Sequence, residues 1–268
     1  MALAPPGAEA QPGPENGHGP EDGASSQPRA CLDCGRPLEA VTVELPLGLG
    51  PRTFAEPCAC EAARRATAAH ERAAAAHRDR VRSLLRQSGI GRRHAGATFE
   101  SFATTPASAP IVDVCRRFVE AFPQGGRGLT LAGPAGTGKT HLAVAITRAL
   151  IERGVAAVIV NVPLLLVSFR GTFRGEHPER FGQMLDLLCR CDHLTLDDLG
   201  RERPTEWVQE TLYLVVNARY EECLATSVTT NLSPDELRVR LGEPILDRLV
   251  ETSAAYWCQW PSHRRPAP

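Results

Sequence analysis

Lysine is almost missing from this chain. Lys139 is the one lysine among 30 basic residues, and the other 29 are arginine. Such a bias replaces lysine wherever either cation serves. The survivor marks a place where a compact ammonium on a flexible stem is needed and a planar guanidinium does not fit. A dominant charge of one sign is lacking too. The formal net charge is −1, which excludes a global pull toward nucleic acid and leaves any basic surface local. No run of 18 or more apolar residues occurs, so no membrane-spanning helix is expected. The N-terminus has no basic stretch leading into an apolar one, so it does not read as a signal peptide. A cytoplasmic, reducing setting follows as the expectation, and there nine cysteines point to metal binding or burial rather than disulfides. What is present suffices for a core: 268 residues, 43% of them apolar, allow one large domain or two small ones.

The surviving lysine closes the run Gly133-Pro134-Ala135-Gly136-Thr137-Gly138-Lys139-Thr140, which reads G-x-x-x-x-G-K-T. Residues 128–132 before it form a short apolar strand, and residues 140–153 after it carry Leu142, Ala145, Ile146, Ala149 and Leu150 at helical spacing. Strand, glycine-rich turn and helix together define a phosphate-binding loop. Glycines let backbone N–H groups turn inward, and the helix N-terminus adds its positive end. Lys139 is placed to reach the β- and γ-phosphates of ATP, and the Thr140 hydroxyl to ligate Mg2+.

Residues 1–30, dominated by Pro, Gly, Ala, Glu and Ser with one leucine and no aromatic residue, are expected to be a disordered tail. Residues 31–60 hold Cys31-x-x-Cys34 and Cys58-x-Cys60 around two short strand signals at 40–45 and 52–54. Gly35 and Pro57 suit turns that aim thiolates at one ion. Four cysteines in two close pairs fit a closed Zn2+ site, whose binding energy would order a segment too short for its own core. Unligated thiols are the alternative. Residues 61–95 read as an arginine-rich linker helix, with nine arginines against three acidic residues between 61 and 93. Attraction for phosphate backbones and a merely solvated face are both compatible with it.

From residue 96 to 268 helices and strands alternate without internal repeat. Strands are expected at 128–132, 155–160, 193–196, 225–230 and 254–260. Five strands with helices between most of them imply an α/β fold, a parallel sheet covered on both faces. Leu194-Thr195-Leu196-Asp197-Asp198 has the form of a Walker B element on a strand expected beside the P-loop strand, with Asp197 in the Mg2+ shell. Asp198 or Glu202 could position the attacking water, and either could instead cap the next helix. Asn231 ends a strand, where an amide can touch the γ-phosphate or simply form a turn. Cys115, Cys189, Cys191, Cys223 and Cys258 read as small buried residues. Trp207, Trp257 and Trp260 are open to core packing or base stacking.

The runs G-P-A-G-T-G-K-T-H-L-A, L-D-D-L-G, R-Y, T-T-N-L and D-R-L resemble the bacterial helicase loaders of the DnaC/DnaI type. These are AAA+ ATPases related to the IstB transposition ATPases, and many carry a cysteine-rich zinc module in front. The resemblance covers about residues 96–264. It implies ATP-switched binding to a DnaB-type replicative helicase, delivery onto single-stranded DNA, and homo-oligomers when ATP is bound. It makes Asn231 the sensor 1 residue and Arg264 the sensor 2 residue. Arg248 becomes the arginine finger acting on a neighbouring subunit, its other reading being a surface ion pair. The chain departs from the pattern in Asp-Asp where Asp-Glu is usual, which implies slow, switch-like hydrolysis. It also ends four residues after Arg264, leaving almost no helical lid. A transposition ATPase of the IstB kind and a zinc-containing adaptor with a structural nucleotide stay open.

Overall fold

The computed structural model describes residues 30–31, 34–44, 50–56, 58–123, 126–173 and 178–264. All but the last residue of the tail expected at 1–30 lies outside the described residues, as does Pro57. The chain divides between Arg72 and Ala73 into two compact units.

In the amino-terminal unit, β1 (Ala40–Glu44) and β2 (Pro51–Ala55) pair antiparallel, with Ala40 opposite Ala55 and Glu44 opposite Pro51. Thr42 and Thr53 hydroxyls meet across the pair at 2.8 Å. Val41, Val43 and Phe54 remain exposed, and Cys31 is the one buried residue among those described in this unit. A hairpin with no covered face is marginal in water, so its order needs another source. Helix α1 (Ala59–Gln87) begins two residues before the expected start and puts Cys60 on its first turn. The division of the chain falls inside this helix.

The carboxy-terminal unit is built on five parallel strands: β3 (Gly128–Ala132), β4 (Ala157–Asn161), β5 (His193–Asp197), β6 (Ala225–Thr230) and β7 (Ser253–Trp257). Their order is β4-β5-β6-β3-β7. Every residue of β5 and β6 is buried, as expected of central strands with helices on both faces. On one face the end of α1 (Val81, Leu84, Leu85) packs with α2 (Ala109–Ala121) and α3 (Lys139–Glu152). On the other lie α4 (Val162–Phe173), α5 (Pro178–Arg190), α6 (Glu206–Glu221), α7 (Pro234–Leu241) and α8 (Glu243–Thr252). Helix α7 starts with a capping box: Ser233 Oγ accepts from Glu236 N–H and Ser233 N–H donates to Glu236.

The structure corrects the sequence reading at several points. The Walker B strand β5 does not adjoin the P-loop strand β3, because β6 runs between them. Helix α8, for which no helix was expected, buries Ile245, Leu246 and Leu249. Strand β7 stops at Trp257, three residues short of the expected end. Cys115, Cys191 and Cys258 are buried, but Cys223 is exposed in the turn after α6, with a φ of 52°.

Candidate nucleotide-binding site

The P-loop leaves β3 through Gly133 (φ 136°), Gly136 (φ 91°) and Gly138 (φ 88°), conformations that L side chains rarely adopt. A Cβ at Gly138 would stand 2.6 Å from the Phe102 ring. Helix α3 then begins at Lys139. The Lys139 ammonium is buried and donates to the carbonyls of Gly133 and Pro134, both at 2.7 Å. Burial lowers its pKa, while Cys258, Asp198 and Asp197 pull it upward. Its hydrogen-bond acceptors are neutral carbonyls, so the charge is solvated but not neutralised. A phosphate entering the loop supplies the missing counter-charge.

Behind the lysine, two strands and a helix converge on Asp197, which is buried at the end of β5. Asp197 Oδ1 accepts from Thr140 Oγ1 at 2.9 Å and from Thr229 Oγ1 at 2.7 Å. Thr229 Oγ1 in turn accepts from the Asp198 N–H at 3.0 Å. The intervening strand β6 thus supplies a second donor to the carboxylate oxygen that the P-loop threonine already bonds. Sequence reasoning passed over Thr229; its signal was a hydroxyl at an alternate position of a buried strand, two residues before Asn231. A hydroxyl and a carboxylate already in contact beside a phosphate cradle form an oxygen donor set that fits Mg2+.

Asp198 takes a left-handed backbone, φ 58°, which swings its carboxylate off the strand. Oδ2 accepts from Asn161 Nδ2 at 3.3 Å and lies 3.9 Å from the Arg201 guanidinium. Glu202, the other candidate base, is occupied elsewhere: both its oxygens accept from Gly200 N–H at 3.1 Å. Burial raises its pKa, and the backbone N–H bonds oppose that. A cavity of about 220 Å3 opens over the P-loop, lined by Lys139, Thr140, Asp198, Asn231 and Arg264. A second, of about 330 Å3, shares Arg93, His94, Thr140, Asp198 and Arg264 with it and adds Asn161 and Asp197. Asp198, Asn231 and Arg264 are therefore brought to the loop, and Glu202 lines neither cavity.

A family profile described as IstB-like ATP binding protein matches residues 64–265. The chain belongs to the IstB-like ATP-binding family. Among its relatives is the replicative helicase loader DnaC of Escherichia coli K12, 27% identical over 188 residues, which span 69% of this chain and 76% of that one. Among solved structures it resembles the DnaC helicase loader, with a TM-score of 0.56 and 27% identity over 62% of this chain and 99% of that one. It also resembles DnaI, with a TM-score of 0.56 and 25% identity over 65% and 94%. The fold is the AAA+ α/β fold expected from the sequence.

In this IstB-like chain Arg248 sits apart from the chain's own nucleotide cavities, on α8. Its Nε donates to Asn217 Oδ1 at 2.8 Å and its Nη1 to Pro244 O at 2.8 Å. The guanidinium lies 5.0 Å from the Tyr213 ring and 5.4 Å from that of Tyr220.

Three of the four cysteines expected to hold a metal gather in the amino-terminal unit. One ligand sulfur from each of Cys31, Cys34 and Cys58 lies within 4.8 Å of the others, and Cys34 Sγ is 3.6 Å from Cys58 Sγ. Gly35, at φ 70°, closes the first turn with its N–H on Cys31 O at 2.8 Å. Cys60 N–H donates to Cys58 Sγ at 3.3 Å. The Cys34 thiol stands at about 11: the Arg36 N–H draws it down, but neighbouring Cys58, Cys31 and Cys60 outweigh that. Thiols this close cannot all ionise without a cation between them. With no apolar core beneath the hairpin, the donor set fits Zn2+. Cys60 stands outside the tight group of three.

Proposed function

We propose that this chain is an ATP-dependent loader of a DnaB-type replicative helicase, which it holds in the ATP state and delivers to single-stranded DNA. The observation that carries the reading is the joining of Lys139, Thr140 and Asp197 at one phosphate-sized loop in a chain whose relatives and structural neighbours include helicase loaders.

In this reading Gly133, Pro134, Ala135, Gly136, Thr137 and Gly138 form the phosphate cradle, and Lys139 leaves its carbonyl partners for the β- and γ-phosphates. Mg2+ held by Thr140 and Asp197 would neutralise charge on those phosphates. Thr229 fixes the Asp197 oxygen that faces Thr140. Asp198 positions the attacking water and receives its proton, and Asn231 orients the γ-phosphoryl group. Aspartate reaches one methylene less far than glutamate, and Asn161 and Arg201 restrain it further, which favours slow hydrolysis suited to a switch. Arg264 faces the phosphates from the same chain and Arg248 from the next, so activity requires a homo-oligomer. The alternative of an IstB-type transposition ATPase shares all of this chemistry and differs in the partner. The adaptor reading has no use for Arg248.

Two outcomes check the assignment. Immobilised chain should retain the DnaB-type helicase from its host's lysate in Mg–ATP and release it in buffer without nucleotide. Retention of a transposase instead would move the chain to the other branch of its family. Purified protein should contain about one zinc per chain, held by Cys31, Cys34, Cys58 and Cys60. Serine at all four positions should remove the metal and leave the thermal transition of the carboxy-terminal unit in place. Zinc kept by that variant would end the zinc assignment.

A further inference from the structure

The P-loop is gripped from outside by a segment that follows the sheet. Beyond β7 the Cys258 N–H donates to Ala132 O at 2.7 Å, which lays the chain against the end of β3. The buried Trp260 donates from its indole Nε1 to Thr137 O at 2.8 Å. Two residues on, Ser262 packs where a Gly136 Cβ would stand. The His263 backbone N–H donates to Gly136 O at 2.9 Å. Its ring meets Phe102 edge-on, centroids 5.2 Å apart, and Phe102 meets His141 in the same way at 5.3 Å. Arg264 follows immediately, on the wall of both cavities.

The two accepted carbonyls matter because a trans peptide is planar. The C=O of one residue and the N–H of the next point in opposite directions. With Gly136 O held outward by His263 and Thr137 O held outward by Trp260, the N–H groups of Thr137 and Gly138 are turned inward, toward the phosphate cradle. Glycine-rich loops sample many peptide orientations, and each one that must be frozen on binding weakens binding. We infer that Trp260 and the segment Cys258–Arg264 act as a clamp that pre-orients the P-loop amides for a polyphosphate. Trp260 is then a positioning residue, touching the loop and not the ligand. The clamp also ties Arg264 to the loop, so a loop that is correctly set presents that arginine as well.

This inference rests on the nucleotide reading of the P-loop, and the test separates the two. Trp260→Phe keeps an aromatic ring in the core and removes only the N–H donor and one ring. His263→Pro removes the second donor at an exposed position, together with the ring that meets Phe102 and lines the cavity. Binding is measured with a fluorescent ATP analogue and, in competition, with inorganic tripolyphosphate, which has phosphates but no base. Trp260→Phe should weaken both ligands about tenfold, the scale of one hydrogen bond to a buried carbonyl. The ligand-free melting temperature should stay within about 2 °C of the parent. His263→Pro should weaken both ligands severalfold. Parental affinity in the folded Trp260→Phe protein overturns the clamp, and so does a loss confined to the ligand that carries a base. Should Trp260→Phe fail to fold, parental affinity in His263→Pro overturns it. Failure of the parent protein to bind either ligand would refute the nucleotide site itself, whereas a clamp failure leaves Lys139-dependent binding intact.

Discussion

Lys139→Ala should weaken binding of a fluorescent ATP analogue by about 100-fold or more, roughly 3 kcal/mol, the scale of removing a charged donor from a buried phosphate. The structure says why so much rests on one side chain. The ammonium is buried on two carbonyls, and among the described residues no carboxylate hydrogen-bonds it. Removing it leaves the phosphate without its cation and the Gly133 and Pro134 carbonyls without their donor. Lys139→Arg should fail nearly as badly. A planar guanidinium cannot sit on the Gly133 and Pro134 carbonyls and then pivot to the phosphates. The composition agrees, because this one position has resisted a bias that made arginine of every other basic residue. Undiminished affinity in Lys139→Ala would remove the site assignment.

Arg248→Ala should bind ATP almost normally and lose hydrolysis by about 10³-fold, the scale of an arginine finger. Its guanidinium is held by Asn217 and Pro244 between two tyrosine rings, so part of any loss could come from loosening α8 against α6. Mixing separates these effects. Arg248→Ala has an intact pocket and no finger; Lys139→Ala has a finger and an empty cradle. In a mixed assembly some junctions pair an intact pocket with an intact finger, and hydrolysis should return there, with helicase and single-stranded DNA present to hold subunits together. A destabilised α8 would give no such recovery. If the mixture stays as inactive as each variant alone, the hydrolysis site is not shared between subunits, and the adaptor reading gains.

The P-loop was legible because it is local: eight consecutive residues, a strand before and a helix after, with glycines where the backbone must go left-handed. What the sequence did not reveal depends on partners far along the chain. Periodicity finds β5 and β6 but not their order, so Thr229 could not be recognised as the second donor to the Asp197 oxygen that Thr140 bonds. What separates Asp198 from Glu202, a left-handed backbone at the first and a Gly200 N–H bond at the second, is set by the fold and not by spacing. Helix α8 is short and follows Gly242 at φ 84°, which masks its apolar spacing. Trp260 stayed open between core packing and base stacking, because nothing near it in sequence reports a bond to Thr137, 123 residues away. The cysteine pairs were legible as a pattern, but the start of α1 at Ala59, which carries Cys60 into a helical turn, was not.

The proposed switch is tested most directly by equilibrium binding between the purified chain and the DnaB-type helicase of its host. The measurement is made with a non-hydrolysable ATP analogue and with ADP, each with Mg2+. The expected result is affinity at least about tenfold tighter with the ATP analogue than with ADP, a coupling of ordinary allosteric size, and no such difference in Lys139→Ala. Equal affinity in the two nucleotide states, or no binding to the helicase in either, would contradict an ATP-switched loader.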